Sequence, residues 1–345
     1  MIKYLFHFLS YAREGVRRPW FVTTFFLISL IIYSSTGFLY YELPVKPDLK
    51  WIDSLWWSLV TMTTVGYGDY FPSTFEGRVF IGVPTMLLGV GVLGYMLSLA
   101  ASKIVESKIR EMKGMKQIVF KNHIIICNYN NFGETMKLVS EIRQDLKTKN
   151  SDIVLIDESL EQLPEELSQL RVFFVRGDLS REATLIKANY KESSGIIINA
   201  ITSDIKNSDL RNLAIVLTIE RTSPECFTVV HCINPENEIF FKRAGCDSIV
   251  SISSLSSQMM IQEVLDPGVH SVITELTSNE YGNQIYIIKP PEITTFGEIR
   301  DNVEEKGLAV IGIRRDEKNI FAPQGSFKLD ENDRLIVVGS HRPFY

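Results

Sequence analysis

The sequence predicts an α-helical membrane module followed by a soluble α/β body, a doubly wound parallel sheet that ends in a smaller α+β lobe. Three observations predict it. Two long apolar runs, residues 20–40 and 79–105, bracket a short amphipathic stretch at 51–63. From residue 118 onward, short apolar runs alternate with segments of helical spacing. Finally, in a chain whose overall hydrophobic share is an ordinary 45%, apolar residues are denser before residue 106 than after it.

Each long run is nearly free of charge, and at ~1.5 Å per residue about 20 helical residues cross the ~30 Å hydrocarbon core. A cleaved signal peptide would be shorter and would carry a small-residue cleavage site, and a second long run would not follow it. Lys3, Arg13, Arg17 and Arg18 precede the first run, while Lys103, Lys108, Arg110, Lys113 and Lys116 follow the second. The positive-inside bias therefore places residues 1–19 and the C-terminal body in the cytoplasm, as in a multi-pass plasma-membrane protein, with the connection between the spans outside.

That connection holds Trp51 to Thr63, with Trp56 and Trp57, too short to span and better suited to a re-entrant helix. Immediately after it stands Thr64-Val65-Gly66-Tyr67-Gly68-Asp69. Stripping water from a potassium ion requires rings of backbone carbonyls, and glycine allows the dihedrals such rings need. In this arrangement the Thr64 hydroxyl supplies the innermost oxygen, and Val65 and Tyr67 pack outward on the Trp-rich helix. A plain glycine turn would need no such order of residue types.

Residues 20–106 resemble the two-transmembrane potassium-channel pore, with Thr64 to Asp69 matching its selectivity filter position by position. The resemblance implies K+ as the permeant ion and a homotetramer in membrane lipid. Gly89, Gly91 and Gly94, near Gly82 and Pro84, serve either as a gating hinge or as sites of close helix packing. No arginine-rich voltage-sensing helix precedes the first run, so gating energy is expected from the soluble body.

Residues 107–117 form the linker, 118–265 the larger lobe and 266–345 the smaller. Strands are expected at His123–Cys127, Ile153–Asp157, Val172–Val175, Gly195–Asn199, Cys226–Cys232 and Ser248–Ser251. The first strand-to-helix turn, Asn128-Tyr129-Asn130-Asn131-Phe132-Gly133, keeps one of the three glycines of a dinucleotide fingerprint. Asparagine tolerates positive φ, but its side chain hinders the approach of a pyrophosphate. Asp157 stands where such folds place a ribose-binding acid, although a capping carboxylate would look the same.

Arg176-Gly177-Asp178 with Leu179-Ser180, Leu185 to Ala188, Ala244-Gly245-Cys246-Asp247 and Asp330 to Gly339 resemble the regulator-of-potassium-conductance (RCK) domain shared with Trk-type regulators. The resemblance implies a Rossmann-like lobe and a gating ring that pulls on the inner helices through the linker. It also admits extra RCK copies from an internal start at Met112 or Met115.

Calcium-activated members place carboxylates where this chain has Asn199, His231 and Ile233, which cannot supply the oxygens calcium wants. Glu158, Asp178, Asp204 and Asp209 leave a non-standard calcium site as the alternative. His231 and Cys232 lack a second ligand pair at zinc spacing, so no metal is assigned. A nucleotide (NAD, ADP or ATP) is the expected gating ligand, lined by Asn128, Asn130, Gly133, Asp157, Glu158, Arg176 and Asp178. A vestigial pocket kept as a dimerisation scaffold is the other reading.

The net charge of −5 offers no broad basic surface, which excludes nucleic acid as an expected partner. Four cysteines without CxxC spacing suggest buried thiols in a reducing cytosol. Two rivals remain. A membrane-anchored oxidoreductase lacks an evident acid-base group, so no enzymatic turnover is expected, and a regulatory subunit of a separate transporter would have no use for the filter.

Overall fold

The computed structural model describes residues 18–305, 307–316 and 318–343, so Lys3, Arg13 and Arg17 lie outside the described residues. The chain divides into two compact units, Met1–Ile109 and Arg110–Tyr345.

In the first unit, α1 (Arg18–Glu42) and α3 (Gly77–Met112) are long and apolar enough to cross a membrane, and α2 (Trp51–Met62) lies between them in sequence. α3 begins with a π-wound turn at Gly77–Gly82 and then runs as a regular α-helix. It extends beyond the predicted residue 105 because Ser102 to Met112 is built from helix formers without glycine or proline. Phe38 of α1 is fully buried and stacks on Trp57 of α2, ring centroids 4.2 Å apart, with Leu49 and Ile81 closing the cluster.

The second unit opens with a six-stranded parallel sheet in the order β3-β2-β1-β4-β5-β6. Its strands are β1 (His123–Cys127), β2 (Ile153–Asp157), β3 (Val172–Arg176), β4 (Ser193–Ile198), β5 (Thr228–His231) and β6 (Ser248–Val250). Every residue of β1 and β2 is buried, as expected where helices cover both faces of a parallel sheet. Alternation sorts them: Ile125 and Cys127 pack towards α6 (Glu182–Lys187) and α7 (Ile205–Thr222). Ile124 and Ile126 pack towards α4 (Phe132–Gln144) and α5 (Glu165–Gln169). The outer strands are shorter than the apolar runs suggest, because Cys226 and Cys232 lie just beyond the β5 ladder.

After α8 (Glu238–Arg243) and β6, α9 (Ile252–Leu265) and α10 (Val269–Thr277) lead to the smaller lobe. α9 buries none of its 14 residues, and Met260, Ile261, Val264 and Leu265 are all exposed. The lobe is an antiparallel sheet, β7-β10-β8-β9, formed by β7 (Gln284–Ile288), β8 (Ala309–Arg315), β9 (Lys318–Phe321) and β10 (Arg334–Gly339). It is covered by α11 (Phe296–Glu304), whose first turn is capped reciprocally by Thr295 and Glu298.

Fully buried Asp333 accepts two bonds from Arg315, at 2.8 and 2.6 Å, while the guanidinium lies over the Phe327 ring. The side-chain bond from Arg315 holds the Asp333 carboxyl below the usual carboxylate range. A depressed folded-state pKa means the stabilisation is complete above the ordinary aspartate range near pH 4 and is lost as pH falls through the folded value. We predict that Asp333→Asn lowers unfolding stability by about 1–3 kcal/mol at neutral pH, because it removes the buried partner of Arg315 and leaves only the more exposed Asp330, at 3.1 Å. The gap from wild type should narrow below about pH 4 in chemical denaturation.

Candidate functional site

Among the residues after α2, φ is positive at Thr64 (61°), Gly66 (58°) and Gly68 (79°), but not at Val65 or Tyr67. Alternating hand along an extended segment turns successive carbonyls to one side, which a normal strand cannot do. A Cβ at Gly66 or Gly68 would meet nothing within 4 Å, so the dihedral, not crowding, requires glycine there. Thr64 accepts the left-handed region without that freedom. Its amide donates to Thr61 O at 3.1 Å, and Val60 O receives the amides of Val65 (3.1 Å) and Gly66 (3.4 Å).

The segment is braced from the side. Trp56 Nε1 donates to Asp69 Oδ2 at 2.8 Å, and the Trp56 and Tyr67 rings stack at 5.9 Å and 5°. Beyond it, Glu42 at the end of α1 is completely buried. Its carboxylate accepts the backbone amides of Ser73 and Thr74, both at 2.9 Å, and both of their hydroxyls. Four donors on one carboxylate fix the turn from which α3 starts.

The three glycines of α3 separate. A Cβ on buried Gly89 would lie 2.5 Å from Met62 Cγ and 3.1 Å from Met62 Cα, so α3 packs there against the end of α2. Gly91 and Gly94 meet nothing.

In the second unit, the sheet order reverses between β1 and β4, the switch point at which open α/β sheets take ligands. A cavity of about 240 Å³ opens there. It is lined by Asn128, Asp178, Leu179, Ser180 and Ile201, and by Leu210, Arg211, Ala214 and Ile215 of α7. Of the seven predicted residues, Asn128 and Asp178 line this cavity; Asn130 and Glu158 lie on turns beside it, Gly133 in the first turn of α4, and Asp157 and Arg176 at the ends of β2 and β3.

Asn128 does adopt positive φ (68°), as its type suggests, but its side chain turns inward. Its Nδ2 donates to Asn199 O (2.7 Å) and Asn212 Oδ1 (2.9 Å). Asn130 bridges to the β4 exit, donating to Ala200 O at 2.8 Å and accepting from Thr202 N at 3.1 Å. Asn131 caps α4 by accepting Glu134 N at 2.9 Å. Gly133 meets only Asn131 Oδ1, at 3.5 Å, so packing within the chain does not require glycine there.

Asp157, 6% exposed, already accepts four donors: Tyr129 N, Ser159 N, Ser159 Oγ and Leu160 N, all within 2.9 Å. Three of these fall on Oδ1 and Tyr129 N on Oδ2, so the buried carboxylate shapes the loop. Further carboxylates lie nearby. Glu158 pairs with Arg211 at 3.2 Å across the mouth, and its carbonyl accepts Arg176 Nε at 3.3 Å. Asp178 is held ionised below the usual range, chiefly by the Ser180 hydroxyl. Asp209 is spoken for by Ile233 N, Asn234 N and Asn237 Nδ2. Among the described residues no three His, Cys, Asp or Glu side chains converge as a metal site.

Two family models match the chain: an ion channel family over residues 20–106 and the TrkA-N domain over 124–252. Probable potassium channel protein 2 of Methanocaldococcus jannaschii is 27% identical over 318 residues, 87% of this chain and 88% of that protein. The calcium-gated potassium channel TvoK of Thermoplasma volcanium is 25% identical over 327 residues, 92% and 90%. The chain belongs to the potassium channels that carry an RCK domain. Such a channel is a membrane protein and not an enzyme. Among solved structures, the GsuK channel bound to NAD is similar at 20% identity and a TM-score of 0.47. The match covers 92% of this channel but only 56% of that chain.

Sequence reading alone missed Glu42, Arg211 and the Asn199–Asn212 pair. A signal for Arg211 was present: Leu210, Arg211, Ala214 and Ile215 share one helical face of α7. Glu42 carried none, because its partners lie 31 and 32 residues away.

We predict that Glu42→Gln weakens the turn before α3 by about 2–3 kcal/mol, since bonds to a charged acceptor are lost or weakened. Thermal unfolding of the purified channel would read this as a lower midpoint. Gly89→Ala should cost about 1–3 kcal/mol by overpacking on Met62, while Gly91→Ala and Gly94→Ala should be neutral or slightly stabilising in the same assay.

Proposed function

We infer that four copies of the chain form a potassium-selective pore in the plasma membrane, both termini cytoplasmic, gated by an adenine nucleotide in the β1/β4 crevice. The observation that carries the conducting role is the alternating hand at Thr64, Gly66 and Gly68. Four such segments around an axis present stacked rings of carbonyls that replace the hydration shell of K+. Trp56, Tyr67 and Asp69 hold the rings at fixed width.

Two features support assembly. Val65 and Tyr67 are exposed in the single chain, at 53% and 68%, where neighbouring copies would cover them. α9 is apolar and unburied, and Leu210, Leu217 and Phe240 form a second exposed apolar face on α7 and α8. Two separate faces per copy suffice to close a gating ring.

For the ligand, the crevice offers an apolar floor (Leu179, Ile201, Ile215) and two cations at its rim, Arg211 and Arg176. At about 240 Å³ it suits the base end of a nucleotide, with phosphates left on the rim beside the arginines and the N-terminus of α4. Ribose contacts fall to Glu158 and Asp178, because Asp157 is buried and committed to the loop. The nucleotide reading is preferred over calcium because no three-ligand cluster occurs among the described residues. Gly91 and Gly94, free of packing, are the hinge positions of the inner helix.

Reconstituted in liposomes, the channel should pass K+ and exclude Na+, and ADP, ATP or NAD on the cytoplasmic face should alter the flux. Arg211→Ala should weaken ADP binding about tenfold, the worth of one charge-assisted hydrogen bond. A flux that responds to calcium but to none of the nucleotides would overturn the ligand assignment. Equal K+ and Na+ flux would overturn the pore assignment.

A further inference from the structure

After α3 ends at Met112, the chain does not run free to the first strand. Met112 O accepts Leu163 N at 2.9 Å. Gly114 O accepts both Arg176 N, at 3.1 Å, and Lys187 Nζ, at 2.5 Å. Ile118 N then donates to Lys187 O at 2.8 Å, and the Ile118 side chain enters the core, 6% exposed. β3 is the outermost strand of the parallel sheet, and the Gly114 carbonyl takes the Arg176 amide on its open edge.

Gly114 can be replaced by no other residue without strain. It is buried with φ at 66°, and a Cβ there would stand 2.4 Å from Arg176 N and 2.8 Å from Phe174 Cδ1. Lys187 is also committed, because its partly buried ammonium has left water for the Gly114 carbonyl.

The partner on the sheet is what matters. Arg176 holds Gly114 with its backbone amide and reaches Glu158 O with its side chain, at 3.3 Å. The next amide, Gly177 N, donates to Asp157 O at 3.1 Å. Glu158 in turn pairs with Arg211 at the crevice mouth. One residue therefore has its amide in the linker clamp and its guanidinium on the carbonyl of Glu158, whose side chain pairs with Arg211 of the cavity lining.

We propose that Gly114, clamped between Arg176 and Lys187, is the coupling residue that passes crevice occupancy to the inner helix. The proposal rests on the nucleotide reading for the identity of the ligand, but the clamp itself does not. A phosphate that draws the Arg176 guanidinium off Glu158 shifts the end of β3. The shift reaches Gly114 through one hydrogen bond, and three residues of chain separate Gly114 from Arg110 in the last turn of α3.

The test uses the full-length channel in liposomes, with ADP as probe and with Gly114→Ala, Lys187→Met, Lys187→Arg and, as an exposed linker control, Gln117→Ala. Binding of ADP should stay within about twofold of wild type in Gly114→Ala and Lys187→Met, while the ADP-dependent change in K+ flux falls about fivefold or more, the scale of a typical coupling energy. Lys187→Arg should restore part of the response. Full retention of the ADP response in both variants would overturn the proposal.

If wild type neither binds nor answers ADP, the nucleotide reading fails and the clamp is judged on flux without ligand. A change in both variants but not in Gln117→Ala upholds Gly114 as the coupling residue, and no change overturns it. If Gly114→Ala fails to elute as the wild-type assembly, Lys187→Met and its arginine counterpart decide.

Discussion

A backbone whose successive carbonyls share one side cannot satisfy itself. It forms neither helix nor sheet, so the alternating segment at Thr64 to Gly68 must be held from outside. Thr64 alone carries strain of order 1–3 kcal/mol for a non-glycine residue at positive φ, and only surroundings that over-determine it keep it there. Much of the membrane unit serves that purpose. Val60 receives two filter amides, Trp56 fastens Asp69 and stacks on Tyr67, Phe38 seats Trp57, and Glu42 fixes the turn into α3.

The crevice of the second unit solves a related problem differently. Its turn also needs a left-handed residue, but asparagine supplies it where glycine would leave space. The side chain then knits the turn to Asn199 and Asn212, and Asn130 ties the same turn to Ala200 and Thr202. The result is a closed β1–α4 turn, with the open volume displaced towards α7. A dinucleotide lying across the turn loses room, whereas a ligand entering beside Arg211 gains it.

Much of this was legible beforehand. Two long, nearly uncharged runs mark candidate membrane spans, and fully buried strands such as HIIIC and IVLID stand out as unbroken apolar blocks between helical segments. The segment Thr64 to Asp69 stood out by the order of its residue types, and its alternating backbone hand agrees with that order. Roles that depend on partners distant in sequence were not. Glu42 at the end of an apolar helix resembles any interfacial acid, and Asp157 sits where a ribose ligand belongs while its oxygens are taken by Ser159, Leu160 and Tyr129. Gly89, Gly91 and Gly94 look alike as letters, and only Met62 tells the first from the others. The inner helix outran its apolar run because helix continues for as long as propensity allows, whatever the polarity.

α9 presents Met260, Ile261, Val264 and Leu265 to solvent with nothing of the described residues over them. In a freely diffusing protein such a helix would be an aggregation hazard. Here it is made late, on a chain whose first 112 residues already include two membrane spans. Anchoring confines every copy to a thin layer beside the bilayer, where the effective concentration of one sticky helix for another is far above its bulk value. In the proposed tetramer the membrane thus narrows the search before folding finishes: the apolar face meets its own kind in two dimensions and not in three.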